Sequence, residues 1–334
     1  MSQRLALPVL GAALGVSLAV AISMGAYSVS PTELWGALRG ATSDPYATAV
    51  LWDIRLPRVV LAALIGACLA IAGTVMQGIF GNPLAEPGLV GVSSGAAVGA
   101  VLAIVVGATA VGVWVQPAAA FLGGLLVTVL VYGMGRVDGR SEVLTLILTG
   151  VGINAFCGAV IGLLMSISDD AQLRSITFWT LGSVSTATWQ SVASVIPVAL
   201  IGFLLMPWLA RPLDLLALGE RSAAHLGVNV ERVRQVAILA TALLTAAAVA
   251  IAGIIGFVGL VVPHATRLVV GPGHRLLLPA SALAGALLLV WADLISRTIA
   301  EPREVPLGVV TALIGSPVFF LLLRREHRIR GAWA

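Results

Sequence analysis

VVLAALIGACLAIAGTVMQGIFGNPLA, residues 59–85, is the stretch that decides the fold. It holds no charged side chain and is longer than the roughly 20 apolar residues needed to cross a hydrocarbon core of ~30 Å. The same pattern recurs on both sides. Uncharged runs cover Leu5–Thr32, Pro87–Gly135, Val143–Ser168, Gln235–Thr266, Leu276–Ala292 and Val305–Leu323, with a further helix near Val192–Leu209 inside Ser175–Ala210. Across 334 residues only 10% are charged and 59% are hydrophobic, at a mean hydropathy of +1.04. A soluble domain carries about 25% charged residues, so this chain reads as an all-α, polytopic membrane protein formed as one domain over residues 1–334. Nucleic-acid binding, disulfide-rich secretion and disorder are excluded by the same composition.

The charges that remain set the topology. All 19 basic residues are arginines. Arg4 lies at one end, and Arg324, Arg325, Arg328 and Arg330 lie at the other. The positive-inside rule puts both ends in the cytoplasm, so the number of crossings is even. Reading Pro87–Gly135 as two helices broken near Gln116-Pro117, and Gln235–Thr266 as a helix to Gly253 with a short return over Gly259–Val270, gives ten. Arg4, Arg136, Arg140, Arg211, Arg221, Arg232, Arg234, Arg267, Arg275 and the four tail arginines then lie inside. Arg39, Arg55, Arg58, Arg174, Arg297 and Arg303 lie outside, a split of thirteen to six. The first apolar run exceeds the ~7–15 residues of a signal-peptide core and reads as a retained helix.

Without lysine there can be no Gly-Lys-Ser/Thr phosphate loop and no Schiff base. Any ATP used must bind another chain. Cys68 and Cys157 sit in apolar runs and read as packing residues. No histidines have metal-ligand spacing, and no enzyme active site is visible. His264, beside Pro263, reads as a hydrogen-bonded structural residue.

Several polar segments stand out. PLDLLALGERSAAHLGVNVERVR, residues 212–234, is the longest inner connection and predicts two short helices, Leu213–Leu218 and Glu220–Leu226. Its leucines suit either a stretch lying on the membrane or a docking element for a cytoplasmic partner. Arg55-Leu56-Pro57-Arg58 begins the second helix, where cations oppose the helix dipole; lipid headgroups or an acidic partner would offset this. Gly81-Asn82-Pro83-Leu84-Ala85-Glu86-Pro87-Gly88 is a proline-broken connection, either a turn or a kink facing a pathway. Gly91, Gly95 and Gly99 share a helix face and read as close packing or as a pathway lining. Asp293 and Arg297, one turn apart, read as an ion pair. A secondary transporter usually places ionisable groups inside the membrane, whereas only Asp293 and Glu86 come near that here, both at helix ends.

Taken together, RLPR, AGTVMQGIFGNPLAEPGLVGVSSGAAVG, LGERSAAHLGV, GIIGFVGLVVPHATR, ADLISR and EVPLGVVTALIGSPVFFLLLRR closely resemble the permease family of ATP-binding cassette importers for iron–siderophores, haem and cobalamin. The motifs run in order from about Val29 to Arg325. The resemblance implies ten transmembrane helices per subunit and a homodimer in the bacterial cytoplasmic membrane. It implies two copies of a separate ATPase, which holds ATP and magnesium, and a periplasmic or lipid-anchored substrate-binding protein outside. This chain itself would bind no cofactor and no metal. Residues 213–227 resemble the coupling helices that enter the ATPase, carried by Leu218, Gly219, Glu220, Ala224, Leu226 and Gly227. Arg55, Arg58 and Arg297 match outer arginines that meet acidic residues of the binding protein. Asn82 and Leu84 match an inner gate, and Ser141–Thr145, with Ser141 and Thr145 at its ends, a second one. NPLAEPGLVGVSSGA looks most like the haem and cobalamin branches, so the resemblance ranks haem first, ferric siderophore second and cobalamin third.

Overall fold

A computed structural model of the chain describes residues 3–25, 36, 39, 45–137 and 140–331. The end of the first apolar run, 26–32, and the stretch where the family motifs begin lie outside the described residues. So do the side chains of Arg4, Arg140, Arg325, Arg328 and Arg330. The fold is a helical bundle: α1 (Gln3–Ser23), α2 (Leu56–Phe80), α3 (Val92–Val105), α4 (Val115–Met134), α5 (Val143–Ser166), α6 (Asp170–Leu181), α7 (Trp189–Leu216), α8 (Glu220–His225), α9 (Val230–Ala252), α10 (Val258–Val270), α11 (His274–Thr298) and α12 (Leu307–Gly331). A short helix, Pro45–Ala49, and a π-helical turn, Val50–Arg55, lead into α2. One two-residue ladder, Arg136–Val137 (β1) against Arg140–Ser141 (β2), closes the α4–α5 connection.

Among the described residues seven helices are long and apolar enough to cross a membrane, and three shorter apolar ones, Val92–Val105, Val258–Val270 and Leu307–Leu322, bring the total to ten. α6 and α8 are the two left over. Ten apolar helices match the parity argument. α1 begins and α12 ends on the face that carries α8: Ala6, near the start of α1, packs against Val270 and Leu277, while Leu307 N, at the start of α12, donates to Gly182 O at the opposite face.

α2 is the hub. It is hydrophobic all round and buried along nearly its whole length between α7, α9, α10 and α11. In lipid the tails are as apolar as leucine, so helices associate through close packing of small residues. A Cβ on Gly66 would collide with the Gly285 carbonyl of α11, and one on Gly73 with the Gly259 carbonyl of α10. The Gly95 and Gly99 stripe is a packing face: their missing Cβ atoms leave room for the Gly123 and Ala119 carbonyls of α4. By contrast α4 and α5 turn Leu122, Leu126, Val129, Leu144, Leu148, Val151 and Phe156 outward, as a lipid-facing or subunit-facing surface requires.

Three boundaries differ from the sequence expectation. The break between α3 and α4 lies at 106–114, where Gly107 takes φ +70°, and Pro117 sits in the first turn of α4. A helix start tolerates proline because its first N–H groups have no intrahelical acceptor. The expected separate helix Leu213–Leu218 does not exist: α7 runs unbroken to Leu216 despite Pro197, Pro207 and Pro212. Neighbouring helices bury Leu213 completely and hold that last turn in place. Finally, α6 replaces the expected polar start of the 175–210 segment. Its N-terminus is a capping box in which Asp169 Oδ1 accepts from Gln172 N at 2.8 Å and Asp169 N donates to Gln172 Oε1 at 3.2 Å.

Candidate functional site: two polar ends and the openings between them

At the α8 end the connection from α7 to α9 stands clear of the bundle. Gly219 adopts φ +98°, a conformation open to glycine, and turns the chain into α8. Leu218 (64% exposed), Gly219, Glu220, Ala224, Leu226 (59%) and Gly227 all face outward. Exposed leucines at the polar end of a bundle leave apolar surface open to a partner or to the membrane face. Two carboxylates tie this connection back. Asp214 Oδ1 accepts from His274 N at 2.8 Å and pairs with His274 Nδ1 at 2.7 Å, holding the last turn of α7 to the start of α11. Glu220 Oε1 accepts from Arg234 Nη2 at 2.5 Å.

Arg234, buried to 2% exposure, reaches further. Its Nη1 donates to Ser141 O at 2.5 Å and lies 3.1 Å from Ser141 Oγ. Glu231, one turn earlier on α9, accepts from Ser141 N at 2.9 Å, Ser141 Oγ at 2.8 Å and Tyr132 OH at 2.5 Å. Thr145 Oγ1 donates to Glu142 Oε2 at 2.7 Å at the head of α5.

The Asn82–Leu84 loop lies at the same end. Asn82 Oδ1 accepts from Leu84 N at 2.9 Å, an Asx turn that shapes the kink, and both residues are exposed. Beyond it the chain rests on α5: Asn154 Nδ2 donates to Gly88 O at 3.1 Å, Ser94 Oγ bonds Asn154 Oδ1 at 2.6 Å, and Gly150 leaves room for the Leu89 carbonyl. Partial burial of Glu86 in this loop pushes its carboxyl above the usual carboxylate range. Both expected gate segments thus sit at one end of the bundle, Ser141–Thr145 at the head of α5 and Pro83–Leu84 beside Leu260, His264 and Phe319 of α10 and α12. No hydrogen bond or ion pair joins Asn82 or Leu84 to Ser141 or Thr145 among the described residues.

The opposite end holds the three expected docking arginines, and here the expectation of an exposed patch is corrected. Arg55 is 4% exposed and Arg58 6%. Arg58 Nε donates to Asp293 Oδ1 at 2.9 Å, and its two terminal nitrogens grip Glu304 at 2.7 and 3.0 Å. Arg297 pairs with Asp293 Oδ2 at 3.7 Å, as its i,i+4 spacing suggests. Arg55 Nη1 donates to Ile22 O and Ser23 O, while Arg297 donates to Met24 O and Ala21 O. Two cations therefore cap the C-terminal carbonyls of α1, where the helix dipole favours positive charge. The physical reason is placement: the start of α2 lies against the end of α11, and sequence spacing cannot show that.

Two adjoining cavities open near this end. One, of about 430 Å³, is lined by Trp114, Trp179, Thr186, Thr188 and Gln190 among others; the other, of about 370 Å³, shares Gln116, Trp179, Ser183 and Thr186 with it and reaches Glu304. Their lining is aliphatic, aromatic and neutral-polar apart from the Glu304 carboxylate, which suits a bulky ligand held mainly by apolar contact. Among the described residues no cluster of three or more His, Cys, Asp or Glu could hold a metal ion. Sequence reading did not single out Asn154, Asp214, Glu231 or Glu304; only Glu231 and Arg234, three apart on a helix, left a readable pattern.

A ten-span helical bundle with a projecting apolar loop at one end, and no lysine for a phosphate loop, defines a membrane transport channel that does not itself bind nucleotide through a P-loop. The FecCD transport family matches residues 13–325, and the chain belongs to that family of ATP-binding cassette importer permeases. It is 44% identical over 316 residues to the hemin transport system permease protein HmuU of Yersinia pestis, covering 92% of each chain. It is 45% identical over 303 residues to the cobalamin import system permease protein BtuC of Halobacterium salinarum, covering 89% of this chain and 80% of that one. A solved structure described as an inward-facing metal-chelate type ABC transporter superposes with a TM-score of 0.86 at 35% identity, covering 96% of this chain and 98% of that one. The chain is the transport channel of such an importer rather than its ATPase.

Proposed function

We propose that this permease imports haem, received from a substrate-binding protein and released into the cytoplasm by alternating access. What favours haem over cobalamin is the extent of the match rather than its identity: the hemin permease matches at 44% over 92% of both chains, the cobalamin permease at 45% over 89% of this chain and 80% of its own. The neighbouring tryptophans and neutral polar groups of the outer cavities are compatible with a flat, bulky chelate. Two copies of the chain form the channel in a bacterial cytoplasmic membrane, with both termini in the cytoplasm, and the exposed apolar face of α5 is the surface available for the second copy. Two ATPase subunits, holding ATP and magnesium, dock on residues 213–227. Closure of the ATPase moves α8, and the movement reaches the inner gates at Asn82, Leu84, Ser141 and Thr145. The permease binds no cofactor and makes or breaks no covalent bond.

The binding protein docks at the end holding Arg55, Arg58 and Arg297. Burial changes how such docking works. An incoming carboxylate has to compete with Glu304, whose side chain is 40% exposed and is therefore the replaceable partner of Arg58. Exchange of one carboxylate for another steers and orients more than it holds.

Proteoliposomes containing the permease and its ATPase test the substrate. They are to be supplied with cognate binding proteins carrying haem, ferric siderophore or cobalamin. ATP-dependent uptake of haem alone supports the reading, and uptake confined to cobalamin or siderophore replaces it. Deletion of residues 218–227 separates ATPase from permease on co-purification if α8 is the docking element. Replacing Arg55, Arg58 and Arg297 with Glu, in chains shown to fold, abolishes binding-protein affinity if the docking assignment is right.

A further inference from the structure

We propose that Arg234 is a positioning residue that carries movement of α8 to the head of α5. The inference rests on the reading of α8 as the ATPase-docking element and adds to it the link through which that element acts. Its basis is the geometry around Ser141. That residue is gripped at both backbone groups by α9: Glu231 takes its N–H, and Arg234 supplies a donor to its C=O. Ser141 is one residue from Glu142, the N-cap of α5. The other terminal nitrogen of Arg234 holds Glu220, the first residue of α8. One buried guanidinium thus joins the exposed six-residue α8 and the start of the spanning helix α9, 14 residues apart, to the hairpin that opens α5, 93 residues earlier.

The chemistry explains why the residue is arginine. Its planar fork presents separate donors in fixed, divergent directions, so a carbonyl on one side and a carboxylate on the other are satisfied together. A lysine ammonium at the same place is a point charge whose three donors radiate from one nitrogen on a flexible stem, so it cannot span the two acceptors in the same way. The burial is asymmetric as well. Arg234 is 2% exposed while the Glu220 side chain is 58% exposed, so the partner that moves lies at the surface and the part that transmits lies in a fixed environment. Glu231 is also bonded to Tyr132 on α4, which makes the far side of the link stiff.

The experiment uses the complete importer, with permease, ATPase and binding protein in lipid, and compares Arg234→Lys, Arg234→Gln and Glu220→Gln with the unmodified chain. The readout is substrate moved per ATP hydrolysed. Arg234→Gln is expected to lower that ratio about tenfold, the order expected for losing charge-assisted hydrogen bonds, in complexes that still assemble and hydrolyse ATP. Arg234→Lys is expected to restore it only in part. A purely structural role lowers assembly and melting temperature and leaves the ratio unchanged in what survives. Spin labels at Ser222 and Leu144, both exposed, supply a second measurement in the milder Arg234→Lys protein. In the unmodified complex the distance between them holds constant as ATP binds, because both ends move together; in the variant it changes. An unaltered ratio together with an unaltered distance in the variants overturns the inference. If the unmodified chain neither binds its ATPase nor transports, the function itself is wrong, and the two failures are told apart.

Discussion

Arg58 and Arg234 are both buried, both hold two acceptors, and lie at opposite ends of the bundle. Arg58 meets Asp293, itself 1% exposed, and Glu304, eleven residues further along the same connection. Its network closes on itself and ties α1, α2 and α11 together. Arg234 meets one exposed carboxylate and one backbone carbonyl on separate elements. Its network is open at the surface. A charge anchored to a buried carboxylate stays in place even where a second partner, here the 40% exposed Glu304, can exchange, because leaving Asp293 strands two charges in low dielectric. A charge whose one carboxylate partner lies in water, as Glu220 does for Arg234, can let that partner shift at modest cost. The difference separates an end built to stay together from an end built to be pulled.

The largest effect follows from the closed end. Asp293→Ala leaves Arg58 and Arg297 without their shared buried carboxylate. Removing one member of a buried pair costs about 3–5 kcal/mol, so the variant is expected to give little folded protein in detergent and a much lower melting temperature. Glu220→Ala at the open end is expected to cost less than Asp293→Ala in the same melting assay, because Glu220 is 58% exposed and the buried Arg234 keeps its Ser141 acceptors. Equal losses at the two ends would erase the difference between a fixed end and a movable one.

Next in size is a test of the hub that connects the two ends. Gly73→Ala puts a methyl against the Gly259 carbonyl, backbone that cannot rotate away. Overpacking of this kind costs about 1–3 kcal/mol. The loss is expected in thermal unfolding. Gly81→Ala, where nothing lies within 4 Å of the added methyl, is the steric control, although its φ of +57° carries a separate backbone strain. Glu304→Gln comes third. The amide keeps an acceptor for Arg58 but loses the charge at a half-exposed site, so a stability loss below about 1 kcal/mol is expected, together with stronger binding-protein affinity if Glu304 is the competing carboxylate.

The ten spans were legible because the bilayer imposes a length and forbids charge, and both constraints are written residue by residue. The Gly91, Gly95 and Gly99 stripe was legible as packing for the same local reason, and α8 was legible from Gly219, Gly227 and the leucines around them. What the sequence could not show were contacts between distant elements. Arg58 reads as an exposed cation until α11 is laid beside it, since Asp293 and Glu304 are more than two hundred residues away. The hold of Asp214 on His274 is hidden in the same way. The helix α6 was legible in principle: Asp169-Asp170-Ala171-Gln172 carries a capping-box spacing, obscured by the apolar patterning on either side.

The smallest expected effect concerns Glu86, the one charge in the Gly81–Gly88 connection, which lies between a buried alanine and a buried proline. Desolvation raises its folded-state pKa, whereas in the unfolded chain it titrates near ~4.3. Between those two values the folded protein binds more protons than the unfolded one, so stability falls as pH rises through the window and levels off above the folded pKa. The contribution is fully present only below the unfolded value. Glu86→Gln removes this dependence: its melting temperature is expected to be flatter than that of the unmodified chain across this acid range, and slightly higher at neutral pH. Parallel melting curves for the two proteins at every pH would mean that Glu86 is solvated like an ordinary surface carboxylate. The loop would then be as open to water as α8, and the contrast between a fixed bundle and a single movable edge would have to include a second movable edge beside it.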